Sequence, residues 1–199
     1  MTDHNVINNV RSSIAAQHIM NSDLIFTKVV IDNYNEILDP IQKTALDCVS
    51  NISNDANYIR CEPQIFLKNN ENFVKWLQKN KLNVIDAAIV RIKPNNKNLP
   101  HIDNFSSDFI LIFPVKNCVD TYTEIYKLPE QAPQLATDQA DCDFYQVPYG
   151  LEIIGKYSVT DPILLNSKNP HKIYNFTQED RIVVTFLFDP DPEVSSLVS

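Results

Sequence analysis

His101 and Asp103 stand one residue apart in the segment KNLPHIDNF, residues 97–105. In an extended chain, residues i and i+2 project from the same face, so an imidazole and a carboxylate lie side by side. Such a pair can begin a metal site, and it can equally be the polar tip of an ordinary strand end. The short arm of Asp holds its carboxylate in tighter register than Glu would. The chain has four histidines, His4, His18, His101 and His171. His4 and His18 fall in a polar stretch and read as solvated.

A second segment, NPHKIYNFTQEDRIVVTFLF (169–188), carries further chemistry. His171 opens one strand, and Arg181 opens the next after the polar turn TQED. Along that final strand Arg181, Val183, Thr185 and Leu187 share one face, and Ile182, Val184, Phe186 and Phe188 share the other. If the arginine's face points into the core, a guanidinium is buried and needs an anionic partner. No acid in the sequence is an obvious one. A ligand carboxylate would serve, because the planar guanidinium fork matches it with two parallel hydrogen bonds.

The elements that must position these groups fall into two kinds. LIFTKVVID (24–32) reads as a strand, and 35–52 as a helix with Asp39 as N-cap and Pro40 at its first position. NENFVKWLQKN (70–80) is a second helix that turns Phe73, Trp76 and Leu77 toward a core rather than offering a stacking platform. From residue 84 onward the pattern is β: 84–93, 108–115, 121–128, 151–159, 162–166, 171–176 and 181–188 are predicted strands separated by Pro, Asn and Asp turns. Short strands at this spacing suggest a sandwich or barrel, with an N-terminal helical layer packed on it. Residues 1–22 read as a polar arm with a short helix over Val10–Met20, and 190–199 as a solvated acidic tail. Pro129–Asp143 reads as a long loop of the kind that often covers a site. Asn175 either orients the distal strand by hydrogen bonding or fills a turn.

The ordered set HxD, distal His and Arg ten positions beyond it resembles the Fe(II)/2-oxoglutarate-dependent oxygenase superfamily. PHKIYNFTQEDRIVVTFLF looks like that superfamily's strand–turn–strand near the end of its double-stranded β-helix. AAIVRIKPNNKNLPHIDN looks like its strand running into the HxD turn, and VVIDNYNEILDPIQKTALDCV like its lead-in strand and helix. The resemblance spans Leu24 to Asp189 and singles out no subfamily. It implies a mainly β double-stranded β-helix (jelly-roll, cupin-like) over 23–189, with packed helices. It implies that His101, Asp103 and His171 bind one Fe(II) as a catalytic facial triad, which leaves positions open for co-substrate and O2. Arg181 would bind the far carboxylate of 2-oxoglutarate. The activity implied is oxidative decarboxylation of 2-oxoglutarate to succinate, coupled to hydroxylation of a small molecule or a protein or peptide side chain. Many members carry a hydroxyl residue two places after the arginine. Here that place is Val183, so a second hydroxyl must come from elsewhere, with Thr185, Tyr122 and Tyr126 as candidates. The other reading is a non-enzymatic, cupin-like metal-binding or interaction module, against which the retained arginine argues.

Composition narrows the partners. The 199-residue chain has a formal net charge of −8, which disfavours phosphate backbones, and shows no cluster of Lys and Arg, so nucleic acid is a poor partner. With only two glycines, Gly150 and Gly155, it holds no phosphate-cradling glycine loop, and Asn is left to take the turns. Cys48, Cys61, Cys118 and Cys142 are widely spaced and read as free thiols. With no apolar run near ~18 residues and no basic-then-apolar leader, the expectation is a soluble, cytoplasmic protein without a membrane partner.

Overall fold

The computed structural model describes residues 25–51, 56–95, 99–128, 134–137, 143–147 and 150–197. The expected arm, its helix, His4, His18 and Cys142 lie outside the described residues. Twelve strands are described: β1 (Phe26–Lys28), β2 (Tyr58–Cys61), β3 (Val84–Ile92), β4 (His101–Asp103), β5 (Phe109–Lys116), β6 (Thr121–Tyr126), β7 (Gln134–Thr137), β8 (Asp143–Gln146), β9 (Ile153–Tyr157), β10 (Ile163–Asn166), β11 (His171–Asn175) and β12 (Arg181–Phe188). The helices are α1 (Tyr34–Asn51), α2 (Gln64–Leu67) and α3 (Glu71–Lys79), with a 3-10 turn at Val194–Ser196.

The strands form two six-stranded sheets, in the orders β1-β10-β5-β12-β3-β2 and β7-β8-β4-β11-β6-β9. Strands β3 to β6 alternate between the sheets, β6 pairs with β9 in one sheet, and β9 to β12 alternate again. Every neighbouring pair is antiparallel. This is the double-stranded β-helix, or jelly roll. None of the described helices is long and apolar enough to cross a membrane.

Strand β12 occupies the middle of the first sheet, between β5 and β3, and all eight of its residues are buried. Its face of Ile182, Val184, Phe186 and Phe188 packs under the helices, against Phe66, Phe73 and Phe113 among others. Val183 and Leu187, on the opposite face, join Ile110, Ile112, Ile125 and Val159 between the two sheets. Helix α3 turns Phe73, Trp76 and Leu77 into the helical core, and its N-cap Asn70 accepts a hydrogen bond from the Phe73 N–H at 3.1 Å.

Helix α1 departs from expectation. It begins at Tyr34, so Asp39 is not its N-cap and Pro40 lies inside it. Ile37, Ile41 and Ala45 form one buried stripe, and the added turn brings Ile37 into the core. That burial, about 1.5–3 kcal/mol for a side chain of this size, offsets much of the backbone hydrogen bond that proline forfeits. Asn33, at φ 55, turns the chain into the helix, and Asn95 and Asn117 take the same left-handed conformation elsewhere.

Two further expectations are corrected. Pro129–Asp143 is not loop throughout: 134–137 forms β7, which pairs with β8. The acidic end is not simply solvated. The Asp191 carboxylate accepts hydrogen bonds from Ser107 Oγ and from the Asp108 and Phe109 backbone N–H groups, while Val194 and Leu197 are buried with the helices. Asn175 acts by hydrogen bonding. Its amide donates to the Ile92 and Glu179 carbonyls, at 2.8 and 2.7 Å, and its carbonyl oxygen receives Thr177, which fastens β11 to β3 and to the turn before Arg181.

Candidate functional site

Strands β4 and β11 pair so that His101 and His171 are direct cross-strand partners. Cross-strand partners share a face, and Asp103, two residues along β4, shares it too. The ligand atoms of His101, Asp103 and His171 all lie within 4.8 Å of one another. Asp103 Oδ1 is 3.7 Å from His101 Nε2, and Oδ2 is 3.6 Å from His171 Nε2. These separations are too long for hydrogen bonds. Two atoms bound to one small cation at about 2.1 Å sit roughly 3 Å apart, so a modest contraction would let all three face a shared ion.

Both rings are oriented for that. His101 Nδ1 lies 3.1 Å from the Leu99 carbonyl oxygen, and His171 Nδ1 lies 3.1 Å from the Asn169 carbonyl oxygen. A carbonyl only accepts, so each Nδ1 carries a proton and each Nε2 is the ring nitrogen turned toward Asp103. This is the outer-shell arrangement that fixes the tautomer of metal-binding imidazoles.

The loops that lead out of β4 and into β11 are stapled together. Ser167 Oγ donates to the Ser107 and Asp108 carbonyls at 3.3 and 3.1 Å. Lys168 Nζ donates to the Phe105 carbonyl at 2.5 Å, and burial draws the pKa of this lysine down. These bonds tie the two loops to each other, so the spacing of the two histidines is set by more than one backbone pair.

The three groups open onto a cavity of ≈ 100 Å³ between the sheets, which Arg181 also lines. Arg181 is 1% exposed. Among the described residues its Nε and Nη1 make no hydrogen bond of normal geometry, and burial draws its pKa down, the Cys118 thiol being the group that most eases its charge. An orphaned buried cation is costly, and the cavity wall beside it is mostly apolar, with Ile110, Ile112, Leu165 and Val183. The arginine's face of β12 is therefore the inward one, and a donor fork points into the space that the ligand cluster shares.

The candidates for an added hydroxyl fare differently. Tyr122 and Tyr126 do not line this cavity. Tyr122 stacks on Tyr174 with ring centroids 4.9 Å apart, and the Tyr126 hydroxyl donates to Glu124 at 2.7 Å. Thr185 does line it, and its hydroxyl donates to the Ala88 carbonyl at 3.3 Å. Two cavity residues were not anticipated. Among the described residues the buried Thr123 hydroxyl makes no hydrogen bond of normal geometry, though it stands beside the Tyr157 phenol, and burial pushes that phenol up to about 12 against the pull of the nearby Arg181 charge and of Thr123. The signal for Thr123 was present as parity: Thr121, Thr123 and Ile125 alternate with Tyr122 and Glu124 along β6, and the first set is the buried one.

No family model matches the sequence, and no curated protein matches it. Solved structures do. SnoN, a non-heme alpha ketoglutarate dependent epimerase from nogalamycin biosynthesis, is 11% identical at a TM-score of 0.51, covering 94% of this chain and 81% of SnoN. SnoN has also been solved in complex with Fe3+, alpha ketoglutarate and nogalamycin RO. SnoK, a non-heme alpha ketoglutarate dependent carbocyclase from the same biosynthesis, is 10% identical at a TM-score of 0.49, covering 84% of this chain and 80% of SnoK. E. coli ycfD is 17% identical at a TM-score of 0.40; the match covers 60% of this chain and spans only 30% of ycfD. Likeness at such identities speaks for the fold, and it is SnoN that carries it. The chain has the double-stranded β-helix fold that SnoN, a non-heme epimerase dependent on alpha ketoglutarate, that is, 2-oxoglutarate, also has.

Proposed function

We propose that the chain is an Fe(II)- and 2-oxoglutarate-dependent oxygenase that hydroxylates a small molecule or a protein side chain. The observation that carries this reading is the Arg181 guanidinium, buried with two orphaned N–H groups on the same cavity as the His101, Asp103 and His171 cluster. A simple metal-binding barrel has no use for that cation. SnoN binds iron and alpha ketoglutarate on the same fold, which supports the choice of ligands. SnoN is an epimerase and SnoK a carbocyclase, so the fold also serves outcomes other than hydroxylation.

In this reading His101 Nε2, His171 Nε2 and one Asp103 oxygen hold Fe(II), two neutral donors and one anion on one side of the ion. Arg181 receives the far carboxylate of 2-oxoglutarate through its fork, with the Thr123 and Tyr157 hydroxyls as the neutral donors that Val183 does not supply. When bound, the iron couples decarboxylation of 2-oxoglutarate with O2 to oxidation of a C–H bond. The chain's own part is positional. The Leu99 and Asn169 carbonyls hold both imidazole tautomers, the β4–β11 pairing spaces the rings, and the apolar walls exclude water.

The test is anaerobic addition of Fe(II) and then 2-oxoglutarate to the purified protein. A weak visible metal-to-ligand absorption band that Arg181→Ala shifts to higher 2-oxoglutarate concentration is expected. No band at saturating 2-oxoglutarate would reject the reading in favour of a non-enzymatic module. Screening metabolites for succinate release then identifies the substrate.

A further inference from the structure

Strand β8 pairs antiparallel with β4 in a register that sets Gln146 opposite His101, Tyr145 opposite Ile102 and Phe144 opposite Asp103. Residues opposite one another across an antiparallel pair project from the same face. The side chains of Phe144 and Gln146 therefore stand on the face that carries His101 and Asp103. The Phe144 ring meets the His101 ring edge-on, with centroids 5.7 Å apart and planes at 74°. Both residues are half-buried, neither sealed into a core nor lost to solvent. The cluster is thus flanked along the sheet by an aromatic ring and a primary amide.

Charge completes the picture. Among the described residues that line the cavity, Arg181 is the one Lys or Arg. If 2-oxoglutarate takes it and the last open iron position is kept for O2, as in the function proposed above on which this inference rests, no lining Lys or Arg among the described residues is left for a second carboxylate or phosphate, and nearby Lys168 is held by the Phe105 carbonyl. An anion would also face Asp103 and a chain of net charge −8. A cationic group would gain Asp103 only by competing with the ion that Asp103 holds. What Phe144 and Gln146 offer is apolar contact and neutral hydrogen bonding.

We infer that β8 is the specificity wall of the site: Phe144 and Gln146 select an uncharged small molecule, with an apolar ring or chain against Phe144 and a neutral polar group within reach of the Gln146 amide. Tyr58 and Phe105 line the cavity itself, beside which Phe144 and Gln146 stand on the same sheet face as His101 and Asp103, and they extend the apolar contact. The substrate is then discriminated by charge, since a carboxylate or ammonium brought into this space leaves water without gaining a partner.

Three probes share a ring and differ in charge: benzamide, benzoate and benzylammonium. Each is titrated by calorimetry, under nitrogen, into protein with Fe(II) and 2-oxoglutarate. Benzamide should bind at least tenfold more tightly than either ion. Phe144→Ala should weaken benzamide about tenfold, and the shape-conserving Gln146→Met should weaken it by a smaller factor and narrow its lead over the ions. Without 2-oxoglutarate, benzoate should gain affinity, and Arg181→Ala should remove that gain. Benzoate binding as tightly as benzamide beside 2-oxoglutarate overturns the inference, as does an unchanged benzamide affinity in both β8 variants. The visible band separates the two readings. A normal band with unaffected variants rejects the wall and keeps the oxygenase. An absent band with variants that still weaken benzamide keeps the wall and rejects the oxygenase.

Discussion

The two faces of β12 are buried to the same degree and are completed in different ways. Toward the helices, Ile182, Val184, Phe186 and Phe188 meet aromatic and aliphatic partners supplied by the chain itself. Toward the second sheet, Arg181 keeps two N–H groups without partners beside a cavity, while Val183, Thr185 and Leu187 line or back it. One face is satisfied by folding. The other is left for something that folding does not provide. A strand whose two faces differ this way sits between a scaffold and a site, and loss of either can be measured without the other.

The sharpest break of the comparison is on the site side. Asp103→Ala removes the one anion of the cluster and should abolish iron binding at micromolar metal, while the unfolding transition of the metal-free protein barely moves. Iron per chain after desalting reads this directly, and iron retained at the wild-type ratio would refute the assignment. On the scaffold side, Phe186→Ala opens a cavity under the helices and should cost about 3–5 kcal/mol in urea unfolding. The fraction that stays folded should keep its affinity for 2-oxoglutarate.

Arg181 tests the boundary itself. Its charge-assisted bonds to a carboxylate are worth about 1.5–3 kcal/mol, so Arg181→Ala should weaken 2-oxoglutarate by roughly ten- to more than a hundredfold. Arg181→Lys should recover part of this, because a point charge replaces a fork. Iron affinity without 2-oxoglutarate should not change. Arg181→Met should raise the thermal midpoint of the ligand-free protein, since it removes a buried cation whose donors are unpaired. A lower midpoint would mean that the guanidinium is structural and that the two faces are alike.

The smallest effect concerns Tyr157, at the same cavity. Its phenol ionises near 10 in an unfolded chain and at about 12 in the fold, chiefly through burial. Between those values the folded chain holds a proton that the unfolded chain has released. The stability tied to this group is therefore complete below about pH 10 and lost as pH rises toward 12. Tyr157→Phe should lose less stability over that window in chemical denaturation series. It should also weaken 2-oxoglutarate by a smaller factor than Arg181→Ala does.

Much of this was legible in the chain before any coordinates. The strand assignments from residue 84 onward, including all of β12, follow from two-residue alternation and β-branched composition, which are local properties. The pattern HxD, His and Arg also pointed to the three side chains that lie together and to the cation on their cavity. What local reading missed has a common cause. Helix α1 starts at Tyr34 because Ile37 finds the core, and β7 and β8 are polar segments made into strands by pairing with each other and with β4. Thr123 and Tyr157, rather than Tyr122 and Tyr126, face the cavity because the sheet turns that parity inward.

The sequence by itself determined periodicity, and with it which residues must share a face. It also determined the chemical inventory: two imidazoles, one carboxylate and one permanent cation. Only the tertiary structure decided which face is inner, how far His171 lies from His101, 70 positions away in sequence, and that Arg181 meets no acid among the described residues. Those outcomes rest on pairing between distant segments and on desolvation, and both depend on what the whole chain brings to a point in space.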